Sequence, residues 1–140
     1  MVCIERRERF SAAHQLYNPN WTPEQNERVF GKCANKNFHG HNFNLYVVVK
    51  GQIDPDTGFV MNLVDLSRII KTEIIDQVDH KNLNTDVRFL QGVMASTENL
   101  VVAFWDILAP KIAEYHAVLY KLRLEETENN AVEYFGEKPV

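Results

Sequence analysis

Three imidazoles and a thiol carry the chemistry that this sequence suggests. His39-Gly40-His41 sets two imidazoles at the head of an alternating apolar run, with Cys33 a short way upstream. In an extended strand residues i and i+2 share a face, so His39 and His41 project side by side, as two ligands of one metal ion must. Gly40 points the other way and lets a neighbouring backbone approach. Phe43, Leu45, Val47 and Val49 continue the histidine face as an apolar stripe. A second stretch, Phe10-Ser11-Ala12-Ala13-His14, closes a strand expected over residues 2–13. If that strand pairs antiparallel with one over 40–51, His14 falls beside the other two imidazoles. Three neutral imidazoles and one open position are the ligand set of catalytic zinc, not structural zinc. Taken alone, a histidine at a strand end is an ordinary hydrogen-bonded residue.

Other groups stand ready for proton transfer. Cys33 lies in Gly31-Lys32-Cys33-Ala34-Asn35, close to the expected metal. A neighbouring cation lowers a thiol's pKa and yields a thiolate that acts as base or nucleophile. The same residue also suits a small apolar filler or a fourth ligand. Asp79-His80 joins a carboxylate to an imidazole, an acid–base pair where the backbone turns one onto the other. The same dipeptide also suits a helix C-terminus. Glu125, Glu126 and Glu128 cluster near the end of a later strand, where one buried carboxylate is able to accept two parallel N–H bonds from an amidine-like edge. Spacing does not choose among them. Cys3 reads as a packing residue.

The elements that position these groups follow from periodicity and turn chemistry. Strands are expected over 2–13, 40–51, 116–127 and 130–135, with Val118, Tyr120, Leu122 and Leu124 on one face of the third. Residues 15–38 form a long connection with a short helix near 23–29, and connections of that length are usually functional. Asp54-Pro55-Asp56-Thr57-Gly58 is a turn signal. Asn62 reads as a helix N-cap with Asp65 at N3, followed by Leu63, Leu66, Ile70 and Ile74 at helical spacing to about residue 77. Residues 78–95 are irregular. Ser96 or Thr97 caps a second helix with Leu100, Phe104, Ile107 and Leu108 inward. The order β-β-α-α-β-β implies an α+β domain, an antiparallel four-stranded sheet with two helices on one face. The other sheet face is expected to keep apolar residues, so an oligomer should cover it.

Composition narrows the function classes. At 140 residues, 45% hydrophobic and 24% charged, the chain reads as one globular domain over 1–140. No apolar run approaches a membrane span. The acidic and basic N-terminus lacks a signal-peptide core, and two cysteines form no disulfide framework, so a cytoplasmic location is expected. A net charge of −4 argues against nucleic acid as partner.

Together these residues resemble the 6-pyruvoyl-tetrahydropterin synthase family, which includes the bacterial 6-carboxy-tetrahydropterin synthases of queuosine biosynthesis. The resemblance rests on Phe10–His14, Gly31-Lys32-Cys33 with His39-Gly40-His41-Asn42, Asp79-His80-Lys81-Asn82-Leu83, Ser96-Thr97-Glu98-Asn99-Leu100, and Glu126-Thr127 before Asn129-Asn130. It implies the tunnelling fold, in which trimers close a twelve-stranded barrel and stack as a homohexamer with active sites between subunits. It implies Zn2+ on His14, His39 and His41, Cys33 as catalytic base, and Asp79 and His80 as its proton-transfer partners. It places Ser96, Thr97 and Glu126 at the pterin, with Glu126 gripping the 2-amino-pyrimidinone edge. Its substrate is 7,8-dihydroneopterin triphosphate. The loop containing Trp21-Thr22-Pro23-Glu24 has a bacterial look and leans the expectation to 6-carboxy-tetrahydropterin, released with triphosphate and acetaldehyde. The five residues between Cys33 and His39 instead match the 6-pyruvoyl enzymes, and a non-catalytic pterin or metal-binding relative is the remaining alternative.

Overall fold

Alternating strands make one twisted sheet that helices cover on a single face. The computed structural model describes residues 1–137. Strand β1 (Val2–His14) pairs antiparallel with β2 (His39–Gly51) along its whole length. Strand β4 (Val118–Thr127) pairs with the other side of β2, and β5 (Asn130–Tyr134) with β4. A two-residue strand, β3 (Lys81–Asn82), adds parallel to Ala12 and Ala13. The sheet therefore has five strands in the order β3-β1-β2-β4-β5, not four. The extra strand lies in the segment expected to be irregular, because two residues are too few to show a period.

Helix α1 (Pro23–Phe30) falls in the long connection. Thr22 caps it in a reciprocal box with Gln25, and Asn26, fully buried, holds the preceding loop through Asn18 and Thr22. Helix α2 (Leu63–Ile70) passes through one π turn (Lys71–Ile75) into a final short turn, α3 (Asp76–Val78). Leu66, Ile70 and Ile74 are buried, but Leu63, the first helical residue, is exposed and borders a surface cleft with Val2, Ile4 and Phe59. Helix α4 (Thr97–Ala113) buries Leu100, Phe104 and Leu108. These side chains meet Phe10, Phe43, Leu45, Val47 and Val49 from the sheet; Phe10 and Phe43 stack with centroids 4.7 Å apart.

Two details of the third long strand differ from simple alternation. The β2–β4 register shifts between Val48 and Val49, so Leu119 turns inward while Val118 and Tyr120 are exposed. Beyond the bulge the alternation resumes with Leu122 and Leu124 buried.

The uncovered sheet face is mostly polar, and the expected apolar residues there are confined to Val48 and, at the start of β4, the exposed Val118 and Tyr120. It carries Arg7 and Arg9 from β1, Asn44 and Tyr46 from β2, and Arg123 and Glu125 from β4, with Arg123 over the Tyr46 ring at 5.0 Å. Val48 is the buried apolar residue among these, and Cys3 is exposed here rather than packed. Such a face tolerates water. What stays open is the sheet's edges: β3 covers β1 only at Ala12 and Ala13, and β5 is bonded on one side.

Candidate active site

The long β1–β2 ladder fixes the histidines. His14 ends β1 directly across from His39, and His41 faces Ala12 two residues further on. All three rings lie on the helix-covered face, with centroids 4.5, 5.1 and 4.9 Å apart in the pairs His14–His39, His14–His41 and His39–His41. One nitrogen from each ring lies within 4.8 Å of the others. His14 Nε2, His39 Nδ1 and His41 Nε2 are also buried atoms without a hydrogen-bond partner. Buried polar atoms are normally paired, so three orphans aimed at one point call for a shared partner.

The protonation of the rings fits a cation as that partner. His14 Nδ1 lies 2.7 Å from the carbonyl of Ala95; it donates there, which leaves a lone pair on Nε2. Burial is the main influence holding all three imidazoles below their ordinary pKa, so they are neutral at neutral pH. The Glu126 carboxylate stands 3.8 Å from His14 Nε2 and 3.7 Å from His41 Nε2. Lone pairs facing a carboxylate at this distance are mutually repulsive unless a cation lies among them. The donor set therefore fits a metal ion held by three imidazoles.

Glu126 continues the inward face of Leu122 and Leu124. Its Oε2 accepts a 2.7 Å hydrogen bond from the Thr97 hydroxyl. Ser96 is the N-cap of α4, accepting from Asn99 N–H, which frees Thr97 for the carboxylate. Leu16, Ser96, Thr97, Glu98, Glu126 and Val132 line a cleft of about 360 Å³. Glu125 points to the opposite face, where it accepts from Asn44 and pairs with Arg123 at 3.2 Å. Of the competing carboxylates, Glu126 is the one at the cleft.

Cys33 is a half-buried free thiol on the 3-10 turn Gly31–Ala34 that follows α1. Its carbonyl accepts from Leu16 N–H at 2.8 Å, and Gln15 donates to the Ala34 carbonyl, so the turn is tied to the chain just after His14. The cluster of potential metal ligands comprises the three histidines without Cys33.

Asp79 and His80 are fixed on the edge of β1. Asp79 Oδ1 accepts from Ser11 N–H at 2.9 Å and lies 3.0 Å from His80 Nδ1. His80 N–H donates back to the Ser11 carbonyl, and His80 takes a φ of 60° to do so. The Ser11 bond, foremost, lowers the Asp79 pKa, so the carboxylate stays ionised. The His80 side chain is 82% exposed. It borders a cleft of about 470 Å³ shared with Ser11, Gly40, His41, Asn42 and Lys81. Among the described residues no hydrogen bond joins the Cys33 thiol to Asp79 or His80.

Sequence reasoning missed Ser11, Asn42 and Ala95. Ser11 and Asn42 bond to each other at 2.6 Å inside the motifs already singled out. Ala95 contributes only a carbonyl, which leaves no mark on residue type.

The helix-backed sheet thus gathers at one end three histidines that could hold a metal ion, a carboxylate beside them, and a separate carboxylate–imidazole pair, the kinds of group that acid–base chemistry uses. The family model for 6-pyruvoyl tetrahydropterin synthase matches residues 3–137, and the chain belongs to that family, whose members are lyases. It is 47% identical over 134 residues to a protein named 6-pyruvoyl tetrahydrobiopterin synthase from Pongo abelii, covering 96% of this chain and 91% of that one. The namesake from Dictyostelium discoideum is 43% identical, covering 97% of each. The solved structure of Caenorhabditis elegans 6-pyruvoyl tetrahydropterin synthase superposes with a TM-score of 0.90 at 37% identity, covering 97% of this chain and 96% of that chain. The fold is thus the tunnelling fold of these synthases.

Proposed function

We propose that this chain converts 7,8-dihydroneopterin triphosphate to 6-pyruvoyl-tetrahydropterin, eliminating triphosphate. The observation carrying the proposal is the meeting of three orphaned imidazole nitrogens with the Glu126 carboxylate in a chain so similar to synthases of that name. The expectation of a 6-carboxy product with acetaldehyde gives way here. Its support was the look of one loop, whereas the relatives quoted above carry the 6-pyruvoyl name across almost their whole length.

Each residue then has a task. His14, His39 and His41 hold zinc, which when bound polarises the side-chain hydroxyls as a Lewis acid. Glu126, steadied by Thr97, accepts two N–H bonds from the pterin edge, and Ser96 borders the same cleft. Cys33 takes a side-chain proton as the base. His80 keeps its Nδ1 proton on Asp79 and exchanges a proton at Nε2. The reaction is redox-neutral: the side chain gains two carbonyls as the ring C=N bond is reduced and triphosphate departs.

His80 faces water within one chain, and the β1 and β5 edges lie open. We therefore read the working enzyme as an oligomer, three copies joining edges into a barrel and two barrels stacking as a homohexamer, with His80 serving a neighbour's site. The free cysteines suit the cytoplasm. The test mixes two inactive variants, Cys33→Ala and His80→Ala, under conditions that exchange subunits. Recovered triphosphate release supports a shared site. Full activity in either variant alone, or none after exchange, contradicts it.

A further inference from the structure

We propose that the substrate's triphosphate tail lies in the cleft beside Cys33, on Lys32 and Lys36; this rests on the pterin-triphosphate reading above. The cleft measures about 740 Å³, and its walls include Gln15, Tyr17, Glu27, Lys32, Asn35 and Lys36.

Position carries the first part of the argument. Lys32 shares its 3-10 turn with Cys33, and Lys36 lies on the run leading to His39. The residues just after His14 form a partition. Leu16 lines the cleft of Thr97 and Glu126, while Gln15 and Tyr17 line this one. Gln15 directly follows His14, and Lys32 and Ala34 flank Cys33, so this cleft adjoins the residues past which a ligand seated at Glu126 would extend its far end. In dihydroneopterin triphosphate the far end is the polyphosphate on C3′.

Charge carries the second part. The lysine and arginine ion pairs among the described residues are Arg6–Glu8, Arg68–Asp65, Lys121–Glu133 and Arg123–Glu125. Lys32 and Lys36 take part in none of them, in a chain with 19 acidic and 15 basic residues. Other cations, Lys81 and Arg28 among them, also lack an ion pair, but Lys32 and Lys36 are the two that share the wall of this cleft, and such a pair suits a flexible polyanion, since Lys is a mobile point charge for phosphate. They also serve the chemistry. Elimination takes the C2′ proton to a base, forms the C2′=C3′ bond and breaks C3′–O, whose electron pair leaves with triphosphate. Ammoniums at the departing oxygens stabilise that charge as it develops. Glu27 is the carboxylate on the wall and works against binding.

The probes are neopterin and neopterin triphosphate, the oxidised fluorescent analogues, titrated against the zinc-loaded protein. The quantity read is the ratio of their dissociation constants. Wild type should prefer the triphosphate, and the preference should weaken with salt. Lys32→Gln and Lys36→Gln should each cut the ratio by about tenfold. Glu27→Gln should raise it by about twofold, a gain that damage to the fold does not produce. Neopterin affinity should be unchanged in all three variants. An unchanged ratio in the lysine double variant, with neopterin still bound, overturns the subsite alone. Failure of wild type to bind neopterin overturns the pterin reading and this inference with it.

Discussion

Replacing His41 with leucine should make the metal-free protein more stable while destroying its metal site. In the metal-free protein His41 Nε2 is a buried polar atom with no partner. Leaving such a group unsatisfied costs about 1–3 kcal/mol. The ring keeps 19% side-chain exposure, so the lower end applies. Leucine at this position extends the stripe of Phe43 and Leu45. The gain is then about 1 kcal/mol, or roughly 3 °C in Tm for a chain of this size. His14→Leu has the opposite sign: it strands the Ala95 carbonyl that His14 now satisfies, a loss of about 1–2 kcal/mol. Both variants remove one of the three proposed ligands and should lose more metal affinity than the roughly 10–100-fold that an outer partner costs. The assay is thermal unfolding of metal-stripped protein at one fixed concentration, with metal analysis of the loaded samples. A metal-free His41→Leu protein as destabilised as His14→Leu would refute the reasoning, and so would full metal occupancy in either.

Cys33→Ala should lower turnover by ~10²–10⁴ with metal content unchanged, because the proposed role of the thiol is that of a base and it lies outside the histidine cluster; metal loss in this variant would make Cys33 a ligand. Glu126→Gln should weaken pterin binding strongly while Glu125→Gln does not, since only Glu126 borders the cleft; fluorescence titration separates the two. The histidines' depressed pKa values fix the sign of the pH response. Between the folded values and about 6.5, unfolded chains bind more protons, so metal-free stability falls as pH drops below about 6.5. For the same reason bound metal should persist at about pH 6, where a free imidazole is largely protonated; metal analysis after stepped dialysis reads this directly.

Much of the site was legible because it obeys simple periods. His39 and His41 share a face by strand geometry, and a long uninterrupted ladder brings His14 opposite His39. Ser96 and Thr97 were ambiguous as caps until the fold assigned the cap to one and the carboxylate to the other. The pattern of β4 departs at Val118 and Tyr120 because a bulge breaks the alternation, and no glycine near Tyr120 marks it in the sequence. The same strand regains its period at Leu122, which is why Glu126 and not Glu125 points inward. The outer face is mostly polar because β1 and β2 alternate, with Arg7, Arg9 and Asn44 opposite their apolar half; Val118 and Tyr120 keep it apolar only at one end. Contacts made through backbone atoms, such as Ser11 to Asp79 and Ala95 to His14, depend on tertiary placement alone.

The most direct test of the central claim is the product. Zinc-loaded protein is incubated with 7,8-dihydroneopterin triphosphate, and the mixture is resolved by mass with an aldehyde trap present. The account predicts stoichiometric triphosphate, a product with the mass of 6-pyruvoyl-tetrahydropterin and no trapped acetaldehyde. Acetaldehyde in step with 6-carboxy-tetrahydropterin would contradict it, as would a substrate left intact.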